Sequence, residues 1–582
     1  MTFTGNRSDG ERDLDAGGGG GSGGDRQGVG ALTDAGGGGE ILEDIFVHVN
    51  QIRPLLLSYG EIPLGRKSLA ALARTCTTFH EPAMNELWAD LDEHGIEPLL
   101  GCVTRLHPMV YRSGGRYTWP EGVDPLSEHE AHQFLRHAAR VRSLHISFDV
   151  HFHLLSIFPI ETCIFPRLQS LIWGLPTDTN LGLFLSPMLH RCRLSAIDGG
   201  FKCIATRCNA LEDLSIRIFE PCTVDELSLL SDSVRLHKRL VTLSCPALDW
   251  TAWEHLSNIP TLITVVINMG NRVPCPPDLD SLNFAPFLNL TALSLYVDTP
   301  AYITTLVQHS EFPSLKKFEI IVNALPSNEA ERLFRALSQC KACQTLEHIT
   351  MGTYGPGVQE PSDNPLTVIA HFFCFTQLRT LWLMLHRPIF LDNNLLLEAM
   401  SSWPHIRTLS LEEPHCRPAT ITFRGLFTAL RRCPHLQTLD VLIDTARIDI
   451  DDTAESFQHT TLRSLGLIPS SHVVDAEAVS RIIFSTLPCV DRLSKCTEGW
   501  QIEVNKYSTS ISVHLKGPPE SLNPFVEAQM PLMFLLTASP ITKSTKLFPD
   551  GCTVEKISHT KGGEVYPGDS HFDKLSGHGL WW

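Results

Sequence analysis

A few clusters in this chain carry the residue types that chemistry uses. Gly20, Gly21, Ser22, Gly23 and Gly24 spell G-x-S-x-G, the turn that lifts the nucleophile of serine hydrolases above a sheet. That turn needs a strand before the serine and a helix after it, and runs of glycine supply neither, so Ser22 reads as a linker residue. His129, Glu130 and His132 approach the zinc motif H-E-x-x-H, but the second histidine would have to stand where Gln133 does. Cys340 and Cys343 form one C-x-x-C with no second ligand pair at metal-binding spacing, which favours packing over metal or redox chemistry. Asn289 begins an N-x-T triplet, yet it borders an apolar strand phrase, so glycosylation is not expected. No other set of His, Asp, Ser or Lys stands at motif spacing, and the expectation is a non-enzymatic protein with no metal and no cofactor.

Composition narrows the class further. Of 582 residues, 43% are hydrophobic and 19% charged, a globular balance, and no run of eighteen apolar residues suggests a membrane span. Met1 to Asp15 lack the apolar core of a secretory signal, so a cytoplasmic or nuclear location is expected. In a reducing compartment the seventeen cysteines act mostly as small buried hydrophobes. The net charge of −17, without a block of five basic residues, argues against nucleic acid as a partner and for soluble proteins.

The elements that would position any binding residues are repeats. One phrase, an aliphatic anchor with apolar residues three and five positions later, recurs from Leu168, Leu211, Leu240, Leu262, Leu290, Leu315, Leu346, Leu378, Ile406, Leu436 and Leu462, with a further copy from Val141. The anchors stand about 29 residues apart on average, the range in which repeat arrays fall. One step of 43 residues holds a degenerate unit around Leu194. Alternation inside the phrase predicts a short strand. Between phrases the period becomes helical: Phe423, Leu426, Phe427 and Leu430 share a face, as do Ala330, Leu333, Phe334 and Leu337 behind a capping box expected from Asn328 to Glu331. Prolines at 166, 260, 313, 404 and 434, two residues before their anchors, end each helix. No single unit buries enough apolar surface to fold alone, so the units must stack.

These phrases resemble the leucine-rich repeat, L-x-x-L-x-L-x-x-N/C, over Val141 to about Leu493. The resemblance implies an α/β solenoid with parallel strands on the concave side and helices on the convex side. The ninth-position Asn appears at Asn323, with Asp298 and Asp444 as near equivalents, so an irregular horseshoe is expected. Ser170, Asp213, Thr380, Thr408 and Thr438 occupy outward slots of the phrase and are the generic candidates for binding a target protein. Trp173, Trp250, Trp382 and Trp403 are expected in the core or at its rim.

Ahead of the repeats, three short helical patterns end near Leu100. Ile41, Leu42, Ile45, Phe46 and Val49 share one face; Ser68 is placed as the N-cap of a second helix with Leu69, Leu72, Ala73 and Cys76; Pro82 is placed at the start of a third with Ala83, Met84, Leu87, Trp88 and Leu91. The order EILEDIF, then SLAALARTCTTFHEPAMNELW, resembles the F-box of fungal proteins in which degenerate leucine-rich repeats follow. In that family the module docks an adaptor of a cullin-based ubiquitin ligase while the repeats hold the substrate. Carried over, the resemblance implies adaptor contacts by Ile41, Leu42, Ile45, Phe46, Leu69, Leu72, Cys76, Phe79, Leu87 and Trp88. Gly36 to Gly39 stand where the family usually has Leu-Pro, and Gln51 to Leu64 make a long connection. A repeat scaffold without ligase, its first helices capping the solenoid, is therefore the alternative. The resulting division is a Gly-rich tail at 1–39, an F-box-like module at 40–100, a connector at 101–140, repeats at 141–493 and a cap or irregular tail at 494–582.

Overall fold

Amphipathic alternation translates into strands at almost every phrase. The computed structural model describes residues 38–51, 64–92, 95–110, 122–147, 151–175, 180–197, 199–218, 222–268, 282–354, 366–387, 389–412, 419–450, 457–469 and 476–494. Ser22 and nearly all of both expected tails lie outside these residues.

The chain divides into two compact units, one ending at Leu87 and one beginning at Trp88, apart from a short exchanged segment. The first contains α1 (Gly38–Gln51), α2 (Leu64–Leu72) and α3 (Thr77–Leu87). Its centre is Phe46, Leu69, Ala73, Ala83 and Leu87, with the Phe46 and Phe79 rings edge to face at 5.8 Å. Gly65 lets α2 approach α1: a Cβ there would lie 2.3 Å from the Val49 carbonyl oxygen. Two boundaries differ from expectation. Ser68 is inside α2, its hydroxyl donating to the Leu64 carbonyl at 2.9 Å, because the helix is already formed a turn earlier. Pro82 likewise sits within α3, since the chain is helical from Thr77 and His80 N–H bonds the Cys76 carbonyl.

The second unit carries fifteen strands among the described residues. They are β1 (Asp90–Leu91), β2 (Ser143–Ile146), β3 (Ser170–Trp173), β4 (Arg191–Leu194), β5 (Asp213–Ile216), β6 (Thr242–Cys245), β7 (Thr264–Ile267) and β8 (Ala292–Val297). There follow β9 (Lys317–Val322), β10 (His348–Thr353), β11 (Thr380–Met384), β12 (Thr408–Glu412), β13 (Thr438–Ile443), β14 (Ser464–Pro469) and β15 (Arg492–Ser494). They form one parallel sheet in sequence order, as a leucine-rich-repeat solenoid requires. Register follows the phrase: its third residues align from Ser170 through Arg191, Asp213, Thr242 and Thr264 onward. Anchors and the fourth and sixth residues are buried, while the third and fifth face outward.

The degenerate unit is real and is β4, whose phrase starts at the buried Leu189 and places Cys192 and Leu194 inside. β1 and β15 extend the sheet beyond the expected phrases, anchored by Trp88 and Val490 in the place of leucine. The described residues of the expected connector, 101–110 and 122–140, belong to the second unit: the helix Glu128–Ala138 precedes β2 and opens on a capping box between Ser127 and Glu130. No capping box forms at 328–331; the helix begins at Ser327 behind Pro326, and Asn328 accepts from the adjacent Glu329 N–H instead.

Regularity comes from the backbone. At each of thirteen successive steps from Ala89 to Gln437, the carbonyl just before a strand accepts two N–H groups from the next unit; the Gln169 carbonyl, for example, takes His190 and Arg191 at 2.9 and 3.0 Å. Side chains reinforce the turn before it, among them Asn289 to the Pro260 carbonyl (2.7 Å), Trp403 Nε1 to Phe372 (2.9 Å) and His459 to Cys433 (2.9 Å). Each of these carbonyls is thereby satisfied from the following unit.

Candidate functional site

The motifs with chemical spacing resolve into structural roles. Glu130 closes its capping box and accepts from Arg105 at 2.7 and 3.2 Å, and the Arg105 hydrogen bond holds its carboxyl down at about 2. His132 bonds the Glu128 carbonyl, and His129 lies 3.1 Å from Gln133 Nε2. Cys340 is buried where the helix Ser327–Gln339 ends, and the side chain of Cys343 is outside the described set. Burial pushes the Cys433 thiol up to about 12, so it stays protonated and unreactive. Among the described residues no group of three His, Cys, Asp or Glu could hold a metal.

The residues assigned to adaptor contact separate into two sets. Phe46, Leu69 and Leu87 are core of the three-helix unit, and Trp88 is buried in the repeat body, its ring 4.8 Å from His137. Those four are therefore closed to a partner by packing. Ile45 (50% exposed) and Cys76 are open, and Leu42, Leu72 and Phe79 are half-buried; the side chain of Ile41 lies outside the description. Leu64, not singled out by periodicity because it opens its helix, is 57% exposed.

In the repeat body, Ser170, Asp213, Thr380, Thr408 and Thr438 all stand in the third-residue row and are half-buried on the open face. The face has more structure than that row. On β8 and β9, Tyr296 and Ser294 donate to the Glu319 carboxylate at 2.8 and 3.1 Å, and Lys317 Nζ lies 3.0 Å from it. Burial alone would raise the Glu319 pKa; the Lys317 and Tyr296 hydrogen bonds outweigh it and hold the group below its usual value. Glu319 is thus a fixed buried anion with its acceptors already used.

Two strands on, Trp382 occupies the fifth position of β11 between Thr350 and Ser410. It is half-buried, and its indole N–H meets no acceptor among the described residues. Met384, its neighbour along the strand, lies 3.2 Å from where a Cβ on Gly352 would be, so the glycine makes room for it. Ile321 continues the apolar strip, and Ser410 bonds Asp440 at 3.0 Å beyond Trp382. An aromatic and a methionine flanked by ordered polar groups have the composition of a protein-binding hot spot. Trp173, Trp250 and Trp403, by contrast, are buried.

Fold and face together define a leucine-rich-repeat solenoid with one open sheet surface. No known family model matches the chain, and no curated protein does. Among solved structures it is similar to an internalin from Listeria monocytogenes, at 14% identity over 62% of this chain and 89% of that one, with a TM-score of 0.36. It is also similar to a leucine-rich-repeat protein of Leptospira interrogans (14% identity, 64% and 87% coverage, TM-score 0.28). A third similarity is to a Bacteroides fragilis protein (14% identity, 55% and 77% coverage, TM-score 0.26).

Proposed function

We propose that the chain is a substrate receptor of a cullin-type ubiquitin ligase, with the α1–α3 unit docking the adaptor and the open face of the sheet holding a target protein. The observation that carries the reading is Ile45: an isoleucine 50% exposed on α1, beside the buried Phe46, in a helical unit whose sequence resembles the F-box. Burying such a side chain at an interface contributes on the order of 1.5–3 kcal/mol. The receptor supplies no reacting group; it holds the target near a ubiquitin-bearing subunit, and proximity lowers the barrier. No helix among the described residues is long and apolar enough to cross a membrane, and a cytoplasmic or nuclear location belongs to this proposal.

The test is co-elution of the full chain with the ligase adaptor, comparing wild type with Ile45→Asp. Co-elution lost in the variant, with helicity unchanged, supports adaptor docking through α1. Absence of a complex at micromolar concentration leaves a protein-binding repeat scaffold without ligase. Phe46→Asp is unsuitable as the control, because Phe46 is core and its loss would unfold the unit.

A further inference from the structure

The open face changes character toward its N-terminal end. Arg191 and Arg193 occupy the third and fifth positions of β4, both outward and exposed, and Arg217 follows β5 on the same face, its N–H bonded to the Leu194 carbonyl at 2.9 Å. Arg193 lies between Ile172 of β3 and Ser215 of β5, and Arg191 between Ser170 and Asp213. Residues two apart along a strand are separated by roughly 6.6 Å, and diagonal neighbours on adjacent strands by about 7–8 Å. Three guanidinium groups are thereby gathered within the reach of one short ligand.

Elsewhere in this body several basic side chains stand against carboxylates: Lys317 with Glu319, Lys316 and Arg379 with Glu347, Lys341 with Glu311, Arg105 with Glu130. Arg191, Arg193 and Arg217 form neither an ion pair nor a side-chain hydrogen bond among the described residues. Two carboxylates face the cluster. Asp213 flanks Arg191 without closing to ion-pair distance, and Glu212 is engaged with His190 at 3.9 Å. The patch is therefore net positive on a chain of net charge −17, where like charges gathered without partners cost stability unless a ligand compensates them.

We infer that Arg191, Arg193 and Arg217 form a subsite for an acidic segment of a protein partner, an extended peptide presenting carboxylates or phosphoserines at alternate positions. Alternate side chains of an extended peptide repeat at the same spacing as Arg191 and Arg193, so each anion can meet one guanidinium, in bidentate fashion where geometry allows. A nucleic acid fits less well: it brings a long run of phosphates against an acidic molecule, while the basic area spans only two strands. The inference deepens the target-binding half of the proposed function, resting on the open face as the binding surface and not on adaptor docking.

The experiment measures fluorescence anisotropy of the full chain with a short labelled peptide that alternates glutamate with serine, with its phosphoserine form and with its glutamine counterpart. Both acidic peptides should bind, the phosphorylated one more tightly, and the glutamine peptide should not. Arg193→Ala should weaken binding about tenfold, the expectation for one charge-assisted hydrogen bond, and the triple alanine variant should abolish it. Arg407→Ala with Arg463→Ala, elsewhere on the sheet, should leave it unchanged. Binding should also fall as salt rises through about 0.15 M. No binding by the wild type, equal binding by the triple variant, or tighter binding of a single-stranded oligonucleotide through the same arginines would overturn the inference. Adaptor co-elution is measured separately, so failure here leaves the ligase reading standing, and the converse holds.

Discussion

Removing one hydroxyl should loosen two helices and little else. Tyr302 is buried on the helix Pro300–His309, and its oxygen serves three bonds: it accepts from Trp253 Nε1 at 2.5 Å and from Leu248 N–H at 3.3 Å, and donates to the Leu248 carbonyl at 2.9 Å. Leu248 precedes and Trp253 lies on the helix Trp250–Ser257, which follows β6, whereas the Tyr302 helix follows β8. The hydroxyl therefore joins units that are not sequence neighbours. In Tyr302→Phe the ring packing survives while an indole N–H, the Leu248 N–H and the Leu248 carbonyl lose their partner in a dry interior. Each unsatisfied buried group costs about 1–3 kcal/mol, and partial relaxation brings the sum to roughly 2–4 kcal/mol. Because repeat arrays transmit stability only to neighbouring units, the cost should appear locally. Native-state hydrogen exchange is the assay: the amides of Trp253 and Leu256 should exchange about 30- to 700-fold faster, following tenfold per 1.4 kcal/mol. Leu409 and Leu439, on β12 and β13, should be unaffected. Acceleration below about threefold at Trp253, or equal acceleration at Leu439, would refute the reasoning.

Other consequences are as specific. A Cβ on Gly425 would lie 1.9 Å from Asn393 Oδ1, which accepts the Thr422 N–H at 2.9 Å; Gly425→Ala should cost about 1–3 kcal/mol by urea denaturation, and Asn393→Ser should recover part of it. Burial, and next the neighbouring His255, push His237 down to about 4, so it is neutral in the folded state. A base whose pKa is lowered on folding contributes stability fully present above 6.5 and lost as pH falls toward 4; the unfolding temperature should drop more steeply across that window for wild type than for His237→Asn. Ile45→Asp should leave the helical circular dichroism of the full chain intact, whereas Phe46→Asp should reduce it, a difference that would vanish if both side chains were exposed. Trp382→Ala should leave the unfolding temperature within a few degrees of wild type, since the ring is only half-buried; a fall as large as that of Trp403→Ala would place Trp382 in the core.

Most of the repeat body was legible because strand phrases with leucine anchors repeat their burial without exception: Leu168, Leu240, Leu378 and Leu436 are all inside. The phrases that escaped were those whose anchor or alternation departs from leucine. β1 is anchored by Trp88 and is two residues long, so its signal merged with the helical pattern before it. β4 puts Arg191 and Arg193 around a cysteine, which reads as polar until the register with β3 is known. The helices begin before Ser68 and Pro82, residue types that also mark helix starts: the Ser68 hydroxyl bonds backward along its own helix, and Pro82 stands inside α3. In the three-helix unit, periodicity identified the apolar residues but not which neighbour they face. Phe46 and Ile45 are adjacent on one helix, and only the contact with Phe79 separates core from surface. The cross-unit hydrogen bonds of Asn289, Trp403 and His459 carry no local sequence signal, since their acceptors stand a whole repeat away.

The division of the sheet into buried and open positions underlies every binding assignment, and hydroxyl-radical footprinting of the full chain tests it most directly. Trp382 and Met384 are on the open face, whereas Trp253, Trp403, Met351 and Met400 are buried. Oxidation should be rapid at the first pair and slow at the other four until the chain is denatured. Slow oxidation of Trp382 together with rapid oxidation of Trp403 or Met351 would contradict the register, and with it the placement of the binding surface.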